Sequence, residues 1–263
     1  MRIIPKKSLG QNFLIDKNIQ KKIISSLELS SNDTVIEIGP GRGELTTLIA
    51  PLVKKLCSVE IDRRLKTALE KNFQNTSNVE IINQDFLKFD LDGYLKKNLI
   101  KQKIKVFGNI PYYITSPIIE RLINFRSNVK AIFITVQKEF AERIIASPGS
   151  KAYGSFSCFV QYYCIPKILF IIKKTSFNPV PKVDSCFLEL LIRDNYPVAV
   201  KSEEALFNII RKCFNQRRKT LRNSLKETLP EKRLDEFFEI TGLSKDIRPD
   251  DISLENFAIL SNL

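Results

Sequence analysis

Residues Val35–Leu48 read VIEIGPGRGELTTL: a short apolar strand, a glycine-rich turn and the start of a helix. Val35, Ile36 and Ile38 supply the strand. Gly39, Gly41 and Gly43 follow at alternate positions, with Pro40 and Arg42 between them. Glycine lacks a Cβ, so such a turn admits positive φ and lets a ligand approach the backbone. A strand that turns on glycines into a helix N-terminus is the geometry of a nucleotide site. The spacing then separates ligand classes. A dinucleotide fingerprint needs Gly or Ala where this chain has Glu44, and there is no G-x-x-x-x-G-K-[ST] run.

Outward from that turn, strands and helices alternate. Helix 44–53, strand 57–61, helix 63–73 and strand 79–82 come first. A helical piece at 91–99, strand 104–107, helix 116–124, strand 130–136 and helix 138–146 follow. This alternation predicts βαβ units and a largely parallel, Rossmann-like α/β sheet. A helical stretch at 155–163 leads to strand-like 168–172. FNPVPKVDS, Phe177–Ser185, reads as an extended loop, and 186–192 alternates as a strand. These late strands suggest an antiparallel addition to the sheet. From Lys201 on, apolar residues recur at helical spacing. The division expected is a catalytic domain over 1–193 and a small all-α domain over 194–263.

Composition narrows the function. Lys and Arg number 42 against 29 Asp and Glu, a net charge of +13, which points to a polyanionic partner. All of that excess lies in residues 1–193, with the first 30 residues rich in Arg2, Lys6, Lys7, Lys17, Lys21 and Lys22. Residues 194–263 are neutral overall, yet Arg211–Lys226 holds seven basic residues and no acid. On one continuous helix Arg211, Arg218 and Arg222 would form a stripe, with Lys212, Lys219 and Lys226 beside it. Arg211, Arg217, Arg218, Lys219 and Arg222 are the expected contacts to that polyanion, either nucleic acid or an anionic membrane. The longest apolar run, Ile168–Ile172, is too short to span a bilayer, and the N-terminus shows no secretory pattern. Cys57, Cys158, Cys164, Cys186 and Cys213 are scattered and read as buried thiols of a reducing compartment. Histidine is absent, which excludes histidine bases and triads and makes a zinc site improbable; no metal is expected.

Two constellations carry chemistry. Glu60 and Asp85 end the second and third strands of the alternation, in register with the glycine turn, so together they suit an adenosine-containing ligand. NIPYY, Asn109–Tyr113, ends the next strand and faces the same crevice. Pro111 biases Ile110 to an extended backbone. The Asn109 side-chain carbonyl and the Ile110 backbone carbonyl can hold an amino group, and Tyr112 offers a ring for a base to stack on.

G-x-G-x-G after an acidic strand resembles the S-adenosylmethionine (SAM) site of Rossmann-like methyltransferases, and NIPY resembles the motif of amino-methyltransferases acting on adenine. Together with KSLGQNFL, EIGPGRGELT, QKEFAERI, FNPVPKVDS and RRKTLRNSL, the chain is similar to the small-subunit rRNA adenine dimethyltransferase family, the KsgA type, from Lys7 to at least Leu225. The resemblance implies that Asn12, Leu14, Gly39 and Gly41 surround SAM, Glu60 binds its ribose and Asp85 its adenine. Asn109 would lie beside the sulfonium and target amine, with Tyr112 and Phe177 on either face of the base. It implies dimethylation of two adjacent adenines in the hairpin loop near the 3′ end of small-subunit rRNA, by a cytoplasmic monomer acting on a partly assembled 30S particle, with no membrane. The macrolide-resistance type of large-subunit methyltransferase shares this chemistry. A non-catalytic RNA-binding assembly or transcription factor shares the fold. An NAD oxidoreductase is disfavoured by Glu44 and NIPY.

Overall fold

A computed structural model describes residues 4–263; Arg2 of the basic N-terminal segment and the Lys7 side chain lie outside that set. The strands are β1 (Phe13–Leu14), β2 (Thr34–Ile38), β3 (Lys55–Glu60), β4 (Val79–Asn83), β5 (Ile104–Gly108), β6 (Val129–Gln137), β7 (Cys164–Ile172), β8 (Phe177–Asn178) and β9 (Ser185–Ile192). Seven form one sheet in the order β4-β3-β2-β5-β6-β9-β7. β4 through β6 run parallel in that order, and β9 is antiparallel to β6. β2 and β5 are buried at every position, as strands covered on both faces must be. This is the α/β sheet the alternation predicts, with the late strands added at one edge. One part of the expected 177–185 loop is not loop: β8 pairs antiparallel with β1, Leu14 opposite Phe177.

The first six helices are α1 (Lys17–Ser26), α2 (Glu44–Ile49), α3 (Arg63–Phe73), α4 (Leu91–Lys97), α5 (Thr115–Asn124) and α6 (Lys138–Ile144). Caps set their starts: the Asp16 carboxylate accepts from the N–H groups of Asn18 and Ile19, and Asp62 accepts from that of Arg64. α2 stops four residues before Val53. Pro51 has no N–H to continue the ladder, so the chain tightens into a 3-10 turn at Ala50–Leu52. Ile23 of α1 and Leu27, which caps it, pack with Val35, Phe107, Phe133 and Phe187 from the sheet.

The chain divides into two units. The first runs through Ala141 and takes in Lys167–Ile192; the second is Glu142–Pro166 with Arg193–Leu263. Residues 142–166 therefore leave the domain 1–193 in which the strand–helix alternation places them. The reason is aromatic packing inside the second unit. Phe159, Tyr162 and Tyr163 of α7 (Ser155–Tyr163) surround Phe207 of α8 (Glu203–Asn215), at centroid distances of 5.4, 5.4 and 5.6 Å. α9 (Leu221–Leu225), α10 (Glu231–Thr241) and α11 (Leu254–Asn262) complete it.

One buried cation ties the first unit together. Lys105 of β5 is 7% exposed. Its ammonium donates to the carbonyls of Leu27 and Glu28 just after α1 and pairs with Asp33 at 3.0 Å. Lys105→Met keeps the apolar stem but strands two carbonyls and a carboxylate. It is expected to lower the unfolding free energy by about 2–4 kcal/mol at an unchanged denaturant slope. A loss below about 0.5 kcal/mol would show that the clamp contributes nothing net.

Candidate active site

β2 and β5 are the neighbours at which strand order reverses: the chain builds β2, β3 and β4 outward, then returns to β5 and β6 on the other side. Ile38 lies opposite Gly108 in the parallel register. Gly39 and Asn109, the next residues, therefore leave the sheet side by side at its carboxyl edge, where ligands of such sheets bind. A cleft opens there. Its walls are the Gly39–Gly41 turn, Asn109–Tyr112, six consecutive residues from Leu9 to Leu14, and three carboxyl groups, Glu37, Glu44 and Glu60.

The glycine turn serves shape rather than phosphate binding. Gly39 and Gly41 have φ of 66° and 60°. A Cβ on Gly39 would project into open space, whereas one on Gly41 would meet the Phe13 ring at 3.1 Å. The N–H groups that could cradle an anion are already used. Gly39 donates to the Val59 carbonyl, Gly43 to the Pro40 carbonyl, and Gly41 to Glu60 Oε2. Burial pushes the Glu60 and Glu44 carboxyls above the ordinary carboxylate range. Occupied N–H groups and three carboxyls suit a ligand with a cationic centre and disfavour a pyrophosphate.

Glu60 is 3% exposed and held at both oxygens, Oε2 by Gly41 and Oε1 by the N–H of Asp62 at 2.8 Å. Asn109 is oriented by its neighbour: its amide nitrogen donates to the Asn12 carbonyl at 3.1 Å. A carbonyl only accepts, so the NH₂ end must face Asn12, and Oδ1 is left as the acceptor end. The Tyr112 hydroxyl shares a hydrogen bond of 2.8 Å with Ser185 Oγ, which pins the ring beside the cleft. Asn12, Leu14, Gly39, Gly41, Glu60, Asn109 and Tyr112 are thus brought together.

The remaining expectations fare differently. Asp85 stands two residues beyond β4 at the same sheet edge, but its Oδ1 caps the turn that follows by accepting from Leu87 N–H, and it does not line the cleft. Phe177 is 1% exposed within the core, paired opposite Leu14, so it presents no face to a base in this conformation. The single basic stripe does not form, because α8 ends at Asn215 and α9 begins at Leu221. Acids distant in sequence then reach two of the five cations. Arg217 pairs with Asp250 and donates to the Lys151 carbonyl; Arg222 pairs with Glu231 and Asp235. Arg211, Arg218 and Lys219 remain exposed. Among the described residues no group of His, Cys, Asp and Glu could hold a metal ion, and no helix is long and apolar enough to cross a membrane.

Glu37, Gln11 and Asp62 escaped the sequence reading. An acid in mid-strand, as Glu37 is in Val-Ile-Glu-Ile, was the signal for the first. It is 1% exposed, and both Thr46 and Ser58 donate their hydroxyls to its Oε2, at 2.8 and 2.7 Å. Burial outweighs those bonds and raises its pKa from 4.5 to about 7, with Glu60 and Glu44 adding repulsion. The folded pKa exceeds the unfolded one, so this group's contribution is whole below about pH 4.5 and is lost as pH rises through about 7. Glu37→Gln keeps an acceptor for both hydroxyls and cannot ionise. Relative to wild type, its unfolding free energy is expected to rise between about pH 5 and pH 8 by on the order of 3 kcal/mol. A difference that stays constant with pH would contradict a buried acid of raised pKa.

The chain matches the family model described as Ribosomal RNA adenine dimethylase over residues 4–263. A Clostridium botulinum (strain Langeland) protein called Ribosomal RNA small subunit methyltransferase A is 42% identical over 257 residues, covering 97% of this chain and 92% of that one. A Bacillus pumilus protein of the same name is 42% identical over 264 residues, 98% of this chain and 90% of the relative. Among solved structures, a dimethyladenosine transferase from Plasmodium falciparum superposes with a TM-score of 0.80 at 28% identity, covering 94% of this chain and 95% of its own. The 23S rRNA methyltransferase ErmE superposes with a TM-score of 0.75 at 25% identity, covering 95% and 98%. The match of sheet, cleft and sequence along the whole described length has one reading: the chain belongs to the ribosomal RNA adenine dimethylase family.

Proposed function

We propose that this protein transfers methyl groups from SAM to the exocyclic amines of two adjacent adenines in small-subunit rRNA. The observation that carries the reading is the Asn109 amide, turned by the Asn12 carbonyl so that Oδ1 is its acceptor end, in a cleft lined by three carboxyls. Family membership supports SAM as methyl donor and rRNA as substrate. The relatives' name supports the small subunit over the large. The hairpin loop near the 3′ end, a partly assembled 30S particle, a monomeric state and a cytoplasmic location belong to the same proposal.

The residues divide the work. Glu60 accepts the ribose hydroxyls; Asp85, at the same sheet edge but outside the cleft wall, has only Oδ2 left for the adenine of the cofactor, since Leu87 N–H holds Oδ1. SAM when bound supplies a methyl group on a sulfonium, an electrophile that needs no further activation. An adenine amine is a poor nucleophile because its lone pair is delocalised into the ring. Accepting its two N–H bonds at Asn109 Oδ1 and the Ile110 carbonyl favours a pyramidal nitrogen aimed at the methyl group. Tyr112 holds the base plane by stacking. Orientation of this kind is worth up to roughly 7–11 kcal/mol of barrier. With no histidine in the chain, the extra proton passes to water.

Calorimetry is expected to show SAM binding and no comparable binding of NAD; tighter NAD than SAM would overturn the reading. With small-subunit particles and labelled SAM, methyl groups should appear on two neighbouring adenines, and label confined to large-subunit RNA would favour the macrolide-resistance reaction. Asn109→Ala should lower turnover by about a hundredfold or more while SAM affinity moves by less than about threefold. Wild-type turnover in that variant would remove the amine-acceptor role.

The second unit is proposed to place RNA through exposed cations. Charge reversal is informative at Arg211, Arg218 and Lys219, because reversing Arg217 or Arg222 would also break ion pairs inside the unit. Each cation–phosphate pairing removed should flatten the salt dependence of log K by roughly 0.7–0.9. An unchanged slope and affinity would assign these side chains to plain solvation.

A further inference from the structure

The segment before β1 forms one wall of the cleft. Phe13 and Leu14 are 6% and 5% exposed and paired to β8, so the chain is anchored from that point on. Upstream, the Asn12 carbonyl takes the Asn109 amide, and before it the polar ties to the rest of the unit converge on Asp62 and the Arg64 bound to it. Asp62 Oδ2 accepts from Gln11 Nε2 at 3.2 Å, and Oδ1 lies 3.5 Å from the Lys6 ammonium. Arg64 grips the same carboxylate at 2.7 Å and also donates to the Ile4 carbonyl.

Capping α3 would explain only one of these bonds, the one from Arg64 N–H to Oδ1. The others give a side chain with no exposed surface three further donors, from Gln11, Lys6 and the Arg64 guanidinium. The backbone of Asp62 faces the other way: its N–H donates to Glu60 Oε1, while Glu60 Oε2 takes the N–H of Gly41. One residue thus joins the segment to the carboxylate and turn on the opposite wall. The segment also touches the target-side loop, where a Cβ on Gly10 would lie 3.2 Å from Pro111 and 3.3 Å from the Tyr113 ring.

We propose that Asp62 is a positioning residue that latches residues 4–11 as a strap over the cofactor cleft, hinged at Asn12 and Phe13. The inference rests on the reading that the cleft holds SAM. Each transfer spends one cofactor, so two methyl groups on each of two adenines require repeated exchange. A strap held by polar bonds to one carboxylate opens without disturbing the core behind Phe13.

The test uses the full chain with Asp62→Asn, Gln11→Ala and the double variant. Asparagine is a good N-cap, so Asp62→Asn keeps α3. Gln11→Ala leaves the cap untouched and serves if the first variant folds poorly. SAM dissociation, followed by stopped flow, is expected to quicken roughly tenfold in each single variant. The double variant should be no worse than the worse single, because both cut the same tie. KM for SAM should rise while KM for the RNA particle stays within about twofold. Effects that add in the double variant, or dissociation unchanged in a chain that binds SAM normally, would overturn the latch. A wild-type chain that binds no SAM would overturn the cofactor reading, and the latch with it.

Discussion

The parallel register of β2 against β5 is the constraint on which the site depends. Ile38 opposite Gly108 makes Gly39 and Asn109 neighbours as they leave the sheet, although 69 intervening residues build two further strands and their helices. A slip of one residue would exchange inward and outward side chains along β5 and carry Asn109 away from the turn. The Lys105 clamp opposes that slip, because it would turn the ammonium away from the Leu27 and Glu28 carbonyls and Asp33. The cofactor wall and the target wall are thus set by one hydrogen-bonded ladder.

The charge distribution follows the same division. A chain of net charge +13 encloses a cleft whose walls carry Glu37, Glu44 and Glu60. Cations outside suit a polyanionic partner, and carboxyls inside suit a small cationic ligand. Both can act at once because water and salt separate them, and the interior carboxyls interact at short range in a poorly screened pocket. The buried acids carry a stability cost in the free chain. A ligand whose positive centre favours their ionised forms offsets it.

What was legible in the sequence was local. The glycine turn, the strand–helix alternation and the NIPYY loop each lie within a few residues and state their geometry through Gly, Pro and apolar spacing. The cleft residues Glu60, Asn109 and Tyr112 could be named because strand ends in such sheets share one edge, whereas Asn12 was implied only by the family resemblance. What stayed hidden depends on partners far along the chain. Gln11 meets Asp62 across 51 positions, and Arg217 meets Asp250 across 33. A basic run without acids looked like one helical stripe until a break after Asn215 divided it and remote carboxylates arrived. Phe177 sits in a proline-rich stretch that reads as an extended loop, and its burial follows from a two-residue pairing with β1 that no periodicity announces. Residues 142–166 follow the α/β rhythm in sequence, but their aromatic side chains pack on a helix forty residues later.

That last arrangement bears on how the protein is made. β9 lies between β6 and β7 in the sheet, so the sheet cannot close until synthesis reaches Ile192. In that order α7 leaves the ribosome with Phe159, Tyr162 and Tyr163 before Phe207, which they surround, can emerge. The nascent chain therefore passes through an interval in which an aromatic helix has no partner, the kind of exposed surface that chaperones engage. A fragment ending at Arg193 would hold the chain permanently in that interval. The small helical unit is thus no detachable appendage: its first helix is encoded inside the sheet's own sequence.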